Sequence, residues 1–551
     1  MGCAGPGGGH LQGEQAQMSE DPGGAPAVIP QQTGQVSEQA RARPRQWRYP
    51  ALLALIVAVQ TALALLQHNS AFIDEATYLY AGHNVISRAL HGGGPVVSGW
   101  GSYFSGAPFF YPVIGAAFDD LGGLAAARCY SLVLMAASTL LLYGTTVRIF
   151  DRRAACFAAA VFATAPSVIF LSYFATYDAQ ALFLIALAFW LAARAAEADR
   201  ARWQAALAVL SGVCLGAATV SKYASLALGA PVIILAGLLY ARRLRGWRAL
   251  GQCGLVVAGM AVVTGAVLAV DGSDLVGGLR KSTLDRPAAG TTASPIVREF
   301  IQLGGAAFLL AYLGSLLYLI WPSVHDRRTG EGWALRAALA ATLTFAALIS
   351  LADQIHVQTT VSFHKHIAFG LLFTAPMAGL LLARLSRFRF GLTGPRVSVA
   401  LITVLAVGFV GLGYQESQRF YDEWPNTTTE AGELSPYIGG GQDQILVESP
   451  DVLQYDFRTR LRQDQWDILS TFTYHDRATG RYLTGITGLK DAIVHHYFTA
   501  IVFTADTPPD ASLENQLTPM LPKNDYDVVA HVSPGGGSAD TPFTIWLLVD
   551  K

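Results

Sequence analysis

The stretch ALLALIVAVQTALALLQHNSAFIDEATYLYAGH (residues 51–83) joins a run of apolar residues to a polar segment with two adjacent acids. The apolar run, residues 51–67, approaches the length that a helix needs to cross the hydrocarbon core of a bilayer. Asp74 and Glu75 follow it, and then Tyr78 and His83. Local rules predict a helix start here, with Asp74 as N-cap and Glu75 in the first turn facing the helix dipole. Ionisable groups so close to a membrane are also candidates for a functional role.

The whole chain is rich in apolar residues and poor in charge. Hydrophobic residues make up 52% of its 551 residues and charged residues only 14%, which is too little charge for an ordinary soluble protein. Apolar runs long enough to span a bilayer recur along the chain. We predict an α-helical polytopic membrane protein with eleven spans, near residues 51–67, 122–147, 155–173, 179–196, 203–220, 224–240, 250–270, 303–321, 333–352, 367–383 and 397–414.

Basic residues orient these spans, because Lys and Arg are retained on the cytoplasmic side of short loops. With the N-terminus inside, the inner segments hold 21 Lys and Arg residues and the outer loops hold 7. An odd number of spans then places the C-terminus outside. Residues 416–551 contain 20 acids against 9 Lys and Arg, a balance that a translocated domain can tolerate.

The spans divide the chain into three predicted parts. Residues 1–48, rich in Gly, Gln, Pro and Ala, bury too little surface to fold and are predicted to be a disordered cytoplasmic tail. Residues 49–415 form the transmembrane domain. Residues 416–551 are predicted to be a small extracytoplasmic α/β domain, since short β-branched and aromatic runs alternate with helical stretches. Its predicted strands are QILVES (444–449), TAIVFTA (499–505), YDVVAHV (526–532) and FTIWLLV (543–549).

Ionisable residues mark four clusters at the outer ends of the spans. The clusters are FIDEATYLYAGH (72–83), YFATYDAQALFL (173–184), ATVSKYASLALGAP (218–231) and VSFHKHIAFGLLF (361–373). Each has a structural explanation: N-capping by Asp74 and Asp178, snorkelling of Lys222, and an interfacial basic cluster at His364, Lys365 and His366. All four lie on one side of the membrane and together mix carboxylates with basic groups, and this combination favours a functional site.

Sugar transfer from a lipid phosphate to a hydroxyl group requires such a mixture. The acceptor hydroxyl must lose a proton to a base, for which a carboxylate is suited, and the departing phosphate needs cations. A lipid-linked donor would also explain why the polar groups lie where helix ends meet the bilayer.

Several segments resemble one known family. They are IDEATYLY (73–80), APFFYPVIGAAFDDLGGLAAARCYSL (107–132), TYDAQALFLIALAFWLAARA (176–195), VSKYASL (220–226) and HKHIAFGLLFTAPMAGLLLA (364–383). In order and topology they resemble the polyprenyl-phosphate-dependent glycosyltransferases of the GT-C fold, in the branch with protein O-mannosyltransferases and lipid A aminoarabinose transferases. The resemblance covers residues 50–415.

This resemblance implies a role for each matching residue. Asp74 would be the catalytic base and Glu75 its supporting neighbour. The donor phosphate would be held by Lys222, Lys365, His364, His366 and Arg128. Asp178, Tyr78 and His83 would contact the substrates.

The implied activity is inverting transfer on the outer face of a bacterial cytoplasmic membrane. The implied partners are a polyprenyl-phosphate sugar, membrane lipid and a protein, lipid or polysaccharide acceptor, and no nucleic acid is expected. No cofactor is assigned from the sequence. Asp74, Glu75, His83 and Asp178 could hold a divalent metal ion, but their spacing matches no recognised metal motif. The first outer segment also lacks, in YFSGAPFF (103–110), the charged residue that often precedes its proline in the family.

Two other functions remain open. A carrier or flippase for lipid-linked saccharides would use the same acids and bases for binding without chemistry. In the second alternative, the helices are passive and only tether an exported binding module. The ionisable clusters at several span ends disfavour this function. The outer loop from Asp271 to Arg298 holds Arg280, Lys281, Asp285 and Arg286, and is predicted either to cover the donor or to serve as a connector.

Overall fold

The fold is described from a computed structural model of the whole chain. It describes residues 48–66, 69–92, 104–243, 246–286, 288–321, 332–387, 394–423, 426–439, 441–476, 479–504, 507–533 and 542–549. Residues 49–551 form one compact unit. The predicted disordered tail, residues 1–48, lies outside the described residues except for Arg48.

The described residues of the membrane part form helices joined by loops. Its helices are α1 (Arg48–Ala64), α2 (Ile73–His91), α3 (Tyr111–Ile149), α4 (Arg152–Ala163), α5 (Pro166–Tyr173), α6 (Tyr177–Glu197), α7 (Ala201–Ser221), α8 (Ser225–Leu228), α9 (Ala230–Ala241), α10 (Trp247–Leu279), α11 (Ala293–Phe300), α12 (Ala306–Ile320), α13 (Trp333–Phe345), α14 (Ala347–Val357), α15 (Phe363–Leu385) and α16 (Gly394–Glu423). A π-helical turn, Arg280–Leu284, continues α10, and a second, Ile301–Gly305, joins α11 to α12.

Seven described helices are long and apolar enough to cross a membrane, or up to nine if each bent pair is one span. The bent pairs are α4 with α5, at 68°, and α13 with α14, at 48°. Two shorter apolar helices, Arg48–Ala64 and Ser225–Ala241, coincide with two further predicted runs. The protein is thus a multi-pass helical membrane protein, as predicted, and the count of eleven spans stays a prediction.

Two features differ from a simple series of straight spans, a break within α3 and the additional helix α2. Helix α3 is broken at Gly122 and Gly123, and Gly123 has a φ of 67°, which a glycine adopts without the steric cost of a side chain. Helix α2 is an addition to the predicted spans: it lies between α1 and α3, and its first half is buried at residues 75–82. The break and the extra helix bring polar side chains of both elements together.

Helix α15 lies at the centre of the membrane part. The apolar stretch of this helix is wholly buried, whereas only 11% of that of α10 is buried. Helices apolar on all sides are typical of a membrane environment, where the outer ones face lipid. The polar end of α15, with Lys365 and His366, is therefore surrounded by the other helices.

The C-terminal part is a small α/β unit. Its helices are α17 (Thr428–Leu434), α18 (Asp451–Asp456), α19 (Gly485–Val494) and α20 (Pro508–Leu517). Its strands are β1 (Ile445–Val447), β2 (Trp466–Ile468), β3 (Thr473–Asp476), β4 (Arg481–Thr484), β5 (Ala500–Phe503), β6 (Tyr526–Val532) and β7 (Phe543–Leu548). Helix α16 runs across the predicted domain boundary at residues 415 and 416.

A five-stranded mixed sheet in the order β2-β1-β5-β7-β6 forms the core of this unit. Strands β2, β1 and β5 are parallel, while β7 is antiparallel to both β5 and β6. Alternate residues pack into clusters on opposite faces, with Leu446 and Ile501 in one and Ile445 and Val502 in the other. All four predicted strands are present. Strand β2 and the β3–β4 hairpin are absent from the prediction, because short strands with polar residues carry little signal.

Candidate active site

Asp74 lies in the first turn of α2 and forms an ion pair with Lys365 at the start of α15. Helix α2 begins at Ile73 and its N-cap is Phe72, so the prediction of Asp74 as N-cap is wrong. The freed carboxylate faces the ammonium group of Lys365, which is buried, while the side chain of Asp74 remains 25% exposed. A carboxylate that is oriented by a cation and still accessible is suited to act as a base.

Asp178 and Lys222 form a second ion pair next to the first. Lys222 Nζ lies 2.7 Å from Asp178 Oδ1, and both side chains are buried. The N-cap of α6 is Thr176, so Asp178 is the second residue of this helix and does not cap it. Lys365 is also within electrostatic reach of Asp178. The structure therefore brings together four residues from four separate predicted clusters, as a single group of two acids and two cations.

Tyr78 and Tyr177 stack beside these ion pairs. Their ring centroids are 4.5 Å apart, and Tyr78 also contacts Phe104 edge to face. Burial raises the pKa of the Tyr78 hydroxyl, and the negative charge of Asp74 raises this pKa further. The Tyr78 hydroxyl therefore stays protonated and uncharged beside the two ion pairs. The Lys222 ammonium lies 5.0 Å from the Tyr177 ring centroid, within the range of a cation–π contact.

A cavity of about 470 Å³ opens next to Lys222. Its ionisable lining residues are Lys222, Lys281, Arg286, His366 and Asp353, and Tyr177 and Ser105 also line it. Lys281 and Ser282 belong to the π-helical turn after α10. Part of the loop from Asp271 to Arg298, predicted either to cover the donor or to serve as a connector, therefore lines this cavity. His366 is fixed by Gln354, whose Nε2 lies 3.2 Å from its Nδ1. The excess of cations over carboxylates makes the cavity suitable for an anion.

Glu75 and Arg128 form a separate pair, in which Glu75 is fully buried and Arg128 is 11% exposed. Glu75 accepts hydrogen bonds from Arg128 Nε (2.9 Å) and Nη2 (2.7 Å), and also from the backbone amides of Phe72 and Ala175. Arg128 donates further bonds to Tyr173 and to the carbonyls of the segment before α2. All five N–H groups of Arg128 are thus used within the protein. The prediction that Arg128 holds the donor phosphate is not supported. Glu75 holds the start of α2 in place, and its predicted role as the supporting neighbour of Asp74 stays a prediction.

His83 lies away from the two ion pairs. Its Nε2 is 2.6 Å from Asp119 Oδ2, and its Nδ1 is 3.4 Å from Asp120 Oδ1. Asp119 is buried in α3, accepts a hydrogen bond from Tyr455 and forms an ion pair with Arg458, both of the C-terminal part. The structure therefore gives His83 a role in joining helices, and the prediction that it contacts substrate is not supported. The ring of His364 packs edge-on against Phe170, with centroids 4.4 Å apart, and it does not line the cavity.

The predicted metal ligands do not converge. Within the described parts of the chain there is no group of three or more His, Cys, Asp and Glu side chains placed to hold a metal ion. Asp74, Glu75 and Asp178 each face a cation of the chain, and His83 faces Asp119. These residues do not fit a metal site in this arrangement, and metal dependence stays an untested prediction.

Several residues of the site lie beyond the sequence-based prediction. Tyr177 is adjacent to a predicted residue, and Asp353 is a charged residue in the apolar pair α13 and α14, a feature that marks functional residues in membrane proteins. Asp451 of α18, which contacts Thr77, gives no signal in the sequence, because acids are common in exported domains.

The helical membrane part, the acid-bearing helix α2 between the first spans and the C-terminal sheet together make up the GT-C fold, as predicted from the sequence. The family model described as dolichyl-phosphate-mannose-protein mannosyltransferase matches residues 107–267. A comparison with curated protein sequences gives no significant match.

Solved structures show the same fold over most of the chain. ArnT from Cupriavidus metallidurans bound to undecaprenyl phosphate superposes with a TM-score of 0.61 at 16% identity, over 91% of this chain and 97% of that one. The apo form of the same protein gives a TM-score of 0.60 at 15% identity, over 91% and 98% of the two chains. The arabinofuranosyltransferase AftD from Mycobacteria gives 0.51 at 15% identity, over 92% of this chain and 42% of that one.

Proposed function

We propose that the protein is a glycosyltransferase that moves a sugar from a polyprenyl-phosphate donor to an acceptor hydroxyl group, with inversion at the anomeric carbon. The observation that carries this proposal is the position of the Asp74–Lys365 pair beside the Asp178–Lys222 pair, at the edge of a cationic cavity. The family model for mannosyltransferases and the likeness to ArnT, which binds undecaprenyl phosphate, support the donor class.

In the proposed reaction Asp74 acts as the general base. Its carboxylate accepts the proton of the acceptor hydroxyl as the oxygen attacks the anomeric carbon from the side opposite the phosphate. The bond between that carbon and the phosphate oxygen breaks, and the electron pair leaves with the phosphate. Lys365 orients the carboxylate and balances the charge around it.

The cations of the cavity hold the departing phosphate. Lys222 connects the two regions, because it pairs with Asp178 and also lines the cavity with Lys281 and Arg286. Cations placed where negative charge develops stabilise the transition state more strongly in a site with little water. His366 borders the same space and can donate one further hydrogen bond.

The proposed location is a bacterial cytoplasmic membrane, with the site and the C-terminal domain on the outer face. The distribution of Lys and Arg supports this orientation, with 21 on the predicted inner segments and 7 on the outer ones. Membrane lipid and an acceptor protein, lipid or polysaccharide are the other proposed partners.

Replacement of the base tests the proposal. The purified protein is reconstituted with undecaprenyl-phosphate mannose or undecaprenyl-phosphate arabinose and with a cell-envelope extract as acceptor source, and released undecaprenyl phosphate is measured. The Asp74→Asn variant should lose about 10²- to 10⁴-fold in kcat, the usual contribution of a general base. The control, Asp527→Asn, removes an exposed carboxylate from strand β6 and should retain full activity.

Two outcomes would contradict the proposal. Normal transfer by a folded Asp74→Asn variant would remove Asp74 as the base. Donor binding without any release of undecaprenyl phosphate by the wild-type protein would instead indicate a carrier for lipid-linked saccharides. The more active of the two donors decides between a hexosyl and a pentosyl transferase.

A further inference from the structure

The C-terminal part contacts the helix that carries Asp74. Helix α18 packs against α2, and Tyr455 of α18 lies in the same buried apolar cluster as Ala76, Leu79 and Tyr80 of α2. Residues of α2 and α18 are more than 350 positions apart in the sequence, since Thr77 and Asp451 differ by 374. The helix that carries Asp74 is therefore packed against the C-terminal part.

One hydrogen-bond relay connects α18 to the first turn of α2. Thr77 Oγ1 lies 2.6 Å from the carbonyl oxygen of Ile73, the residue directly before Asp74, and 2.9 Å from Asp451 Oδ1. A hydroxyl group has one proton, so it can donate fully to only one of these two oxygens. A protonated Asp451 would satisfy the arrangement by donating to Thr77, which then donates to Ile73. Burial raises the pKa of the Asp451 carboxyl.

A second connection fixes the other end of the same interface. Asp119 of α3 accepts a hydrogen bond from Tyr455 Oη at 2.6 Å, forms an ion pair with Arg458 Nη2 at 2.8 Å and contacts His83 of α2 at 2.6 Å. The side chain of Asp119 is fully buried, so these charged contacts are little screened by water. Helix α2 is thus held by α18 near the start of its buried half, through Thr77, and by α3 near the end of that half, through His83.

We propose that Asp451 is a positioning residue for Asp74: through Thr77, helix α18 of the C-terminal domain holds the first turn of α2 so that the Asp74 carboxylate faces the acceptor. The inference rests on the proposed function, since it concerns the geometry of the proposed base. It assigns the C-terminal domain a part in catalysis. Asp451 acts through Thr77 and does not itself contact the substrate or the lipid phosphate.

The expected kinetic signature is a loss in kcat without a loss in donor binding. Asp451→Ala and Thr77→Val should each lower kcat about tenfold, since a misplacement of the base slows proton transfer. KM for the undecaprenyl-phosphate sugar should stay within about twofold, because neither residue lines the donor cavity. KM rises when a variant loses contacts that bind the substrate equally in the ground state and the transition state, and these two variants keep the donor contacts. Asp451→Asn keeps a side chain that can donate to Thr77 and should recover most of kcat.

The double variant separates positioning from a general structural effect. If Asp451 acts through Thr77, the variant with both changes should lose no more kcat than the worse single variant, because the same relay is broken. Asp527→Asn is the control within the same domain. Thermal unfolding of every variant is recorded, and Thr77→Val tests the relay from the membrane side if Asp451→Ala does not fold.

Three results would overturn the inference. The first is a kcat within twofold of the control for both Thr77→Val and Asp451→Ala. The second is a double variant in which the two losses of kcat multiply. The third is a kcat for Asp451→Asn that is as low as that of Asp451→Ala. The Asp74→Asn variant distinguishes the two proposals: if it is inactive while the Thr77 and Asp451 variants are normal, the proposed function stands and the positioning role fails. If it is fully active, the proposed function itself fails.

Discussion

At the scale of residues, two adjacent acids have different surroundings and different roles. Glu75 is fully buried, and its oxygens accept bonds from Arg128 and two backbone amides. Asp74 is partly exposed and contacts Lys365. The helix turns about 100° per residue, so neighbouring side chains point in different directions. One acid therefore stabilises the helix start while the other is available for chemistry.

Arg286 tests the assignment of the donor cavity. Arg286→Gln should raise KM for the undecaprenyl-phosphate sugar about tenfold, because a charged hydrogen bond to phosphate contributes about 1.5–3 kcal/mol. Arg280→Gln is the matched control, since Arg280 is 69% exposed, bonds to Asp285 and is not among the residues that line the cavity. Equal KM values for the two variants would show that the phosphate binds elsewhere.

At the scale of elements, the Lys222 turn is held by close backbone packing. The segment before α3 bonds to the end of α7 through Ala107 N to Val220 O at 2.9 Å and Tyr223 N to Ser105 O at 2.7 Å. A Cβ atom on Gly106 would lie 2.0 Å from the carbonyl oxygen of Ser221, where no side chain fits. The position of Lys222 therefore depends on this glycine.

We expect Gly106→Ala to displace the turn and to lower kcat/KM at least tenfold, since small misplacements of a phosphate ligand are costly. Gly432→Ala in α17 is the control, because a Cβ atom there would meet no atom within 4 Å. The two variants are compared by transfer assay and by thermal unfolding in detergent. Wild-type kcat/KM in Gly106→Ala would mean that the turn can move without affecting Lys222.

At the scale of the whole molecule, the charge distribution predicts the orientation in the membrane. In a variant whose five native cysteines are replaced by alanine, Ser533→Cys should react with a membrane-impermeant maleimide in intact spheroplasts. Asp199→Cys, in the predicted inner loop between α6 and α7, should react only after lysis. Both positions are exposed in the structure. The reverse labelling pattern would place the proposed site on the cytoplasmic side.

The helical membrane class, the strands β1, β5, β6 and β7, and the residue types of the site could be predicted from the order of residues alone. Apolar runs and alternating strands have a local physical cause, the removal of apolar side chains from water, and this cause is readable from the order of residues. Asp74, Asp178, Lys222 and Lys365 could be singled out because ionisable groups at span ends are costly.

Which of these residues contact each other depends on how the folded helices pack. In the folded protein Asp74 pairs with Lys365 and Asp178 pairs with Lys222. Arg128 contacts Glu75, and His83 contacts Asp119. The fold also brings Asp451 of the C-terminal part to Thr77, a contact across 374 residues. Such pairings depend on how whole helices pack, and the free energy of packing is a sum over distant contacts that no local pattern encodes.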